Sequence, residues 1–335
     1  MNEFYVKTLE EIQNLSQKIE GKTSMWGISP VAPIHLGYDS LILLQKSVIK
    51  CGAKNIVLLA DLHSMMSHGV SWDNIRVRGY YWEFMLREVY KLESTTYLYG
   101  SYFQTKPDYI EDLYSLISKL KVADLKDASP KSTKGEPLKA YQILYSIMQC
   151  LDVFHTDVDI VLAEKGQKKI YKLIDIFGSI EFIRPWRGQR LKKDITFIFI
   201  SPSHDIYGNP LIQSKSKTRI SIHETPQTLK NKIRQMYAPP YNQPLEEGKV
   251  NALLEFFRFS VFPWLNKGEV ITIKTTGKDY SCYKDFEEDY SQGKFHPNDA
   301  KEVLYEYLNR RLKSIRKKLK NGLISWIDFK RLLRG

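Results

Sequence analysis

Apolar residues fall along the first 200 positions in two alternating patterns. Residues 4–20 carry Phe4, Leu9, Ile12, Leu15 and Ile19 at helix-like spacing and end near Gly21, which predicts an amphipathic helix. Met25 and Trp26 open a short apolar piece that reads as a strand, and Leu41, Leu43, Leu44 and Val48 then predict a helix over 38–51. Asn55–Ala60 is a continuous apolar run of the kind buried in a parallel sheet. Helices follow over 73–92 and 107–121, with a strand between them at 95–99, then a polar, Pro/Gly-punctuated loop over 122–137. A helix over 138–151, a strand at 158–162, a helix over 167–177 and a strand at 196–200 complete the alternation. Strands separated by helices of this length predict right-handed βαβ units around a parallel sheet, an α/β fold of the Rossmann type. A helix begins at Pro226, and from about 248 the pattern is mostly helical, with one strand-like piece at 269–274. The expected division is a Rossmann-like domain over 1–235 and a C-terminal, mostly helical domain over 236–335, the boundary falling in 225–245.

Composition adds a partner. In 335 residues, 50 Lys and Arg stand against 38 Asp and Glu, a net charge of +12. Ten of the basic residues lie in 309–335 with the single acid Asp328, so most of the excess is C-terminal. Such a balance favours a polyanion, nucleic acid before an acidic membrane surface. Leu312, Ile315, Leu319 and Leu323 give the same basic stretch an apolar side, so it both packs and presents charge. Three dispersed cysteines, Cys51, Cys150 and Cys282, provide neither a disulfide framework nor zinc spacing, and a reducing cytoplasm is expected. No apolar run reaches the 18 residues of a membrane span, and the acid-bearing first residues do not read as a signal peptide.

The chemistry gathers at strand ends. Gly27–Gly37 joins a strand to a helix through glycines, prolines and His35, the order in which backbone amides and a helix start receive phosphate. Asp61 and His63 close the 55–60 strand, where parallel sheets place ligands; His63 reads equally as a packed core histidine. Tyr145, Gln149 and Asp152 stand at i, i+4 and i+7, on one face of their helix beside the apolar Leu144, Ile147, Met148 and Leu151. No Ser/His/Asp or Cys/His arrangement argues for a covalent nucleophile.

In order along the chain, Pro33-Ile-His-Leu-Gly-Tyr38, Leu58-Leu-Ala-Asp-Leu-His63, Tyr99-Gly-Ser-Tyr-Phe-Gln104 and Tyr145-Ser-Ile-Met-Gln149 resemble landmarks of the archaeal and eukaryotic tyrosyl-tRNA synthetases. So do Ser214-Lys-Ser216, Lys232-Ile-Arg-Gln-Met-Tyr-Ala-Pro-Pro240 and Phe295-His-Pro-Asn-Asp299, and the resemblance runs nearly end to end. It implies activation of an amino acid by ATP with Mg2+ and transfer to tRNA by a homodimer. It implies that Tyr145, Gln149 and Gln167 hold the α-amino group, that Asp152 meets the side chain, and that Met25, Gly27, His63 and Gln104 complete the pocket. Gly27, His35, Gly37 and Tyr38 would frame ATP. Lys215, between Ser214 and Ser216 in a mobile catalytic loop, would neutralise phosphate, although alone it reads as a solvated lysine. His296 and Asp299 would read the first anticodon base, with Trp264 stacking on it, and Arg310, Arg311 and Lys317 would contact tRNA.

The chain departs from the family pattern at the pocket. Met25 stands where the family has a tyrosine that meets the substrate phenol, Ser29 replaces a glutamate and Tyr38 the second signature histidine. Ala163-Glu164 replaces a Gly-Gly wall, and Ile212 the first lysine of the loop. These changes admit two alternatives: a paralogue activating a different or modified amino acid, and a catalytically degenerate tRNA-binding protein.

Overall fold

The computed structural model describes residues 2–6, 9–128, 139–179, 194–201, 203–211 and 216–321. Six strands form one parallel sheet: β1 (Asn2–Val6), β2 (Thr23–Ile28), β3 (Lys54–Leu59), β4 (Thr95–Tyr99), β5 (Ile160–Glu164) and β6 (Thr196–Ile200), in the order β1-β6-β5-β2-β3-β4. The apolar runs become the buried strands for a simple reason. Inside a sheet covered on both faces every position is apolar, and all five residues of β6 are buried. Helices cross between the strands, among them Asp39–Lys50, Asp61–His68, Pro107–Lys119 and Ala140–His155. The Ala140–His155 helix lays Ile147, Met148, Leu151 and Phe154 on a core shared with Val161, Phe197 and Phe199.

The expected helix over 4–20 is corrected. Residues 2–6 are the edge strand β1, in parallel register with 196–200, and among the described residues of that stretch only Leu9–Gln13 and Ser16–Ile19 are helical. Edge pairing overrides the local periodicity, and Tyr5 stacks on Phe199 at 5.5 Å. Val122–Ala128, expected in a loop, is a helix because Leu125 and Ala128 join the core and the Ala128 carbonyl accepts from the Ser146 hydroxyl at 3.0 Å. The rest of that loop, through residue 138, lies outside the described residues.

Two compact units result, one from 1–32 and 44–201, the other from 33–43 and 202–327. The second holds the helices Pro226–Arg234, Ala252–Phe256, Tyr283–Ser291 and Pro297–Asn321 and an antiparallel hairpin, β7 (Ile271–Ile273) with β8 (Lys278–Tyr280). The strand-like piece at 269–274 thus has a partner, in a segment that Gly277 at φ +66° turns back.

Candidate active site

Within the first unit, the carboxyl ends of β3 and β4 and the inward face of the Ala140–His155 helix enclose a buried polar cluster. The Asp61 carboxylate accepts the Ser101 amide at 2.8 Å and the Ser101 hydroxyl at 2.5 Å, which ties the turn after β4 to the helix after β3. Asp152 Oδ1 accepts two hydrogen bonds, from Gln104 Nε2 and from the Tyr109 hydroxyl, each at 2.8 Å. Its Oδ2 lies 3.9 Å from His63 Nε2. Burial pushes the Asp152 carboxyl up to about 7, against the opposing hydrogen bonds of Gln104 and Tyr109, while Asp61 adds repulsion. Burial likewise draws His63 down to about 4, so its ring is neutral at pH 7.

Tyr145 and Gln149 lie on the same helix face. The Tyr145 ring meets His63 edge-on at 4.8 Å, and its hydroxyl is hydrogen-bonded to Ser29, the residue at the glutamate position of the resemblance. Gln149 Nε2 approaches Gln167 Oε1 at 3.4 Å, and its buried Oε1 has no partner among the described residues. The three side chains expected to grip an amine are therefore together. Met25 is buried in β2, its Sδ accepting from the Thr156 hydroxyl at 3.4 Å, and Gly27 has open space where a Cβ would stand. Tyr109 was missed by pattern: with Leu113 and Leu116 it keeps helical spacing and reads as core.

In the second unit, the 33–43 turn is held by backbone. Leu36 N donates to Ile220 O at 2.9 Å, Ile222 N donates to Ile34 O at 3.3 Å, and His35 bridges antiparallel to Ser221. The His35 ring stacks on Tyr38 at 4.4 Å; burial first, then Arg219, keeps it neutral, with a pKa of about 3. Gly37 is needed for space, since a Cβ there would come within 2.2 Å of Leu211 and 2.9 Å of His35. Its carbonyl accepts from Ser203 Oγ at 2.6 Å. Of the loop assigned to catalysis, Ser214 and Lys215 lie outside the described residues, as does Ile212, and Ser216 begins a short 3-10 turn, Ser216–Thr218.

Further along this unit, a cavity of about 370 Å3 is lined by Tyr241, Thr275, Lys294, His296 and Asp299. Asp299 Oδ2 accepts from the Thr275 hydroxyl at 3.0 Å and from His296 N at 3.2 Å. Trp264 is not part of this cavity. The Arg311 guanidinium covers its ring at 4.5 Å, and its indole N–H donates to Phe259 O. Arg311, expected at a tRNA-facing surface, is turned inward instead: it is 12% exposed and grips the fully buried Asp39 through two hydrogen bonds, 2.7 and 3.1 Å. Arg310 pairs with Glu269 and is largely exposed, and Lys317 is exposed.

Residues 20–313 match the family described as tRNA synthetases class I (W and Y). Tyrosine-tRNA ligase of Methanopyrus kandleri is 26% identical over 94% of each chain, and that of Halorubrum lacusprofundi 29% identical over 91% of this chain and 93% of its own. Among solved structures, tyrosyl-tRNA synthetase of Archaeoglobus fulgidus, complexed with L-tyrosine, superposes with a TM-score of 0.75 at 25% identity, covering 92% of this chain and 93% of that one. The enzyme of Pyrococcus horikoshii shares the fold at a TM-score of 0.78 and 19% identity, over 97% and 94% of the two chains. The chain belongs to the class I (W and Y) tRNA synthetases and is an aminoacyl-tRNA ligase.

Proposed function

We propose that this chain is a tyrosine-tRNA ligase: it joins tyrosine to AMP at the expense of ATP, releases pyrophosphate, and passes the tyrosyl group to a terminal ribose hydroxyl of tRNA. The observation that carries the choice of tyrosine is the buried Asp152 carboxyl, one oxygen of which accepts from Gln104 and Tyr109 in the pocket at the carboxyl ends of β3 and β4. A pocket for a purely apolar side chain has no use for such a group, whose burial is costly. The named archaeal relatives support the same substrate.

In this reading Gln149 Oε1, Tyr145 and Gln167 take the ammonium group of the amino acid, an acceptor set matched to a donor-only cation. Phosphoryl chemistry of this type is won by positioning and charge stabilisation. Gly27, His35, Gly37 and Tyr38 hold ATP, a neutral His35 acting as a hydrogen-bonding group, and Lys215 supplies positive charge to the phosphates with Ser214 and Ser216 beside it. Mg2+ would accompany ATP and neutralise charge on its phosphates. Residues 1–235 form the activating domain and 236–335 the anticodon-binding domain, where His296 and Asp299 read a base and Arg310 and Lys317 meet phosphate. The enzyme works as a homodimer in the cytoplasm; no described helix is long and apolar enough to cross a membrane.

ATP-pyrophosphate exchange with a panel of amino acids tests this reading. Tyrosine alone is expected to support exchange, and Lys215→Ala to lower kcat for it by roughly 100-fold or more, the scale of losing one preorganised charge contact. Exchange with a different amino acid, or with none, defeats the proposal.

A further inference from the structure

The turn assigned to ATP ends on a buried charge. Asp39 directly follows Tyr38, its amide closes the short 3-10 turn Leu36–Tyr38 by donating to Leu36 O, and its carboxylate is fully buried. Arg311, in the Pro297–Asn321 helix, meets that carboxylate with both arms of its guanidinium, Nη1 to Oδ2 at 2.7 Å and Nη2 to Oδ1 at 3.1 Å. Nη1 also donates to Ser260 O at 2.8 Å, and the Trp264 ring lies 4.5 Å from the guanidinium carbon. Further along the same helix, Arg316 Nη1 donates to Glu224 O at 2.7 Å, beside the segment in which Ile220 and Ile222 pair by backbone with Leu36 and Ile34. All these residues belong to one compact unit, 33–43 with 202–327.

Stability alone does not account for the pair. Taking two charges out of water offsets most of their attraction, so apolar side chains of similar volume would fill the place equally well. A two-bond fork adds direction instead: it sets the plane of the carboxylate and, through it, the backbone of the residue that carries it. Here that backbone is the exit of the turn. Ser203 Oγ holds the Gly37 carbonyl at 2.6 Å and the 220–222 segment holds Ile34 and Leu36, while Arg311 fixes the end that leads into the Asp39–Lys50 helix.

We propose that Arg311 is a positioning residue for ATP: through Asp39 it holds Leu36–Tyr38 in the conformation that receives the nucleotide, without touching the nucleotide itself. The inference rests on the reading that His35, Gly37 and Tyr38 frame ATP. A guanidinium that only stabilised the fold would change how much of the enzyme is active. One that aims the turn changes how well each active molecule binds ATP, and leaves the amino acid's affinity alone.

The test is ATP-pyrophosphate exchange by the full chain with tyrosine, varying ATP and tyrosine in turn, for Asp39→Asn and for the double variant Asp39→Leu with Arg311→Met. Thermal unfolding is followed alongside. The double variant removes both charges together, so its melting temperature is expected to stay close to that of the unaltered protein; Asp39→Asn, which keeps the shape of the side chain, decides the matter if the double variant does not fold. In both, KM for ATP is expected to rise roughly 10-fold or more, while KM for tyrosine changes by less than about twofold. An unchanged KM for ATP, a parallel rise for ATP and tyrosine, or a lower kcat with both KM values unchanged overturns the positioning role. His35→Ala separates the inference from the reading beneath it. If His35→Ala raises KM for ATP and the Asp39 and Arg311 variants do not, Arg311 serves the fold only; if His35→Ala leaves that KM unchanged, the turn is not the ATP site and both fall. Should the unaltered enzyme exchange with another amino acid, the same titrations are run with that one, and no exchange with any amino acid removes the reading and the inference together.

Discussion

Asp152 is a carboxyl whose working form is the one its surroundings oppose. It faces Asp61 and His63 from the helix after β3, Gln104 and Tyr109 from the segment after β4, and Tyr145 on its own helix. With its folded pKa raised to about 7 against an ordinary carboxylate value near ~3.9, the proton is bound more tightly by the folded chain. The ligand-free protein therefore loses stability as pH rises from the unfolded value through the folded one, and above it the loss is complete. Asp152→Asn is expected to raise the melting temperature of the ligand-free protein at about pH 8 and to leave it nearly unchanged at about pH 4. In the proposed role Asp152 meets the substrate side chain as the ionised form, so kcat/KM for tyrosine is expected to climb between about pH 6 and 8 and to level off; a flat profile across that range counts against the assignment. Gln149→Ala removes the orphan acceptor from the proposed amine site and is expected to lower kcat/KM for the amino acid roughly 10- to 100-fold, the worth of a hydrogen bond to a charge, with tRNA affinity unchanged. At this scale the sequence was partly legible. Helical spacing put Tyr145, Gln149 and Asp152 on one face, but the hydroxyl of Tyr109 and the bond from Ser29 to Tyr145 depend on where other elements bring their partners.

Among the elements, the buried strands were the easiest to read, because an unbroken apolar run has no other use in a sheet covered on both faces. The strand β1 was not, since Asn2–Val6 is half polar and becomes a strand only when β6 offers its edge. The last described helix, Pro297–Asn321, gives a subtler case. Its basic residues read as one tRNA-facing set, yet the structure divides them: Lys313, Lys317 and Lys318 are exposed, while Arg311 is spent on Asp39 and on the Ser260 carbonyl at 2.8 Å. Charge runs do not reveal which member points inward. Arg311→Ala would strand a fully buried carboxylate, so it is expected to destabilise the fold by about 3–5 kcal/mol, measured by denaturant unfolding. A change under about 1 kcal/mol, the value of a solvated pair, would contradict this placement.

For the whole molecule the excess of positive charge concerns association. Phosphate contacts made by exposed cations release counterions, each contributing roughly 0.7–0.9 to the slope of log affinity against log salt. Replacing Lys313, Lys317 and Lys318 with Gln is expected to flatten that slope by about 2 to 3 in titrations of tRNA binding, with amino-acid activation retained. An unaltered slope would remove this helix from the tRNA surface. The composition showed that a polyanion was expected but could not show that tRNA would share the work with an internal ion pair.

The pairing of Arg311 with Asp39 also has a temporal meaning. The two residues are 272 positions apart in the chain, and 33–43 belongs to the same compact unit as 202–327. During synthesis, 1–32 and 44–201 leave the ribosome before any of 202–327, the residues that Pro33–Leu43 packs with. The Pro33–Leu43 segment has to wait for its own unit to be made, as far as Arg311 in Pro297–Asn321. A nascent chain released early would leave Pro33–Leu43 without Ile220, Ile222 and Arg311, the partners that hold the turn and its buried Asp39.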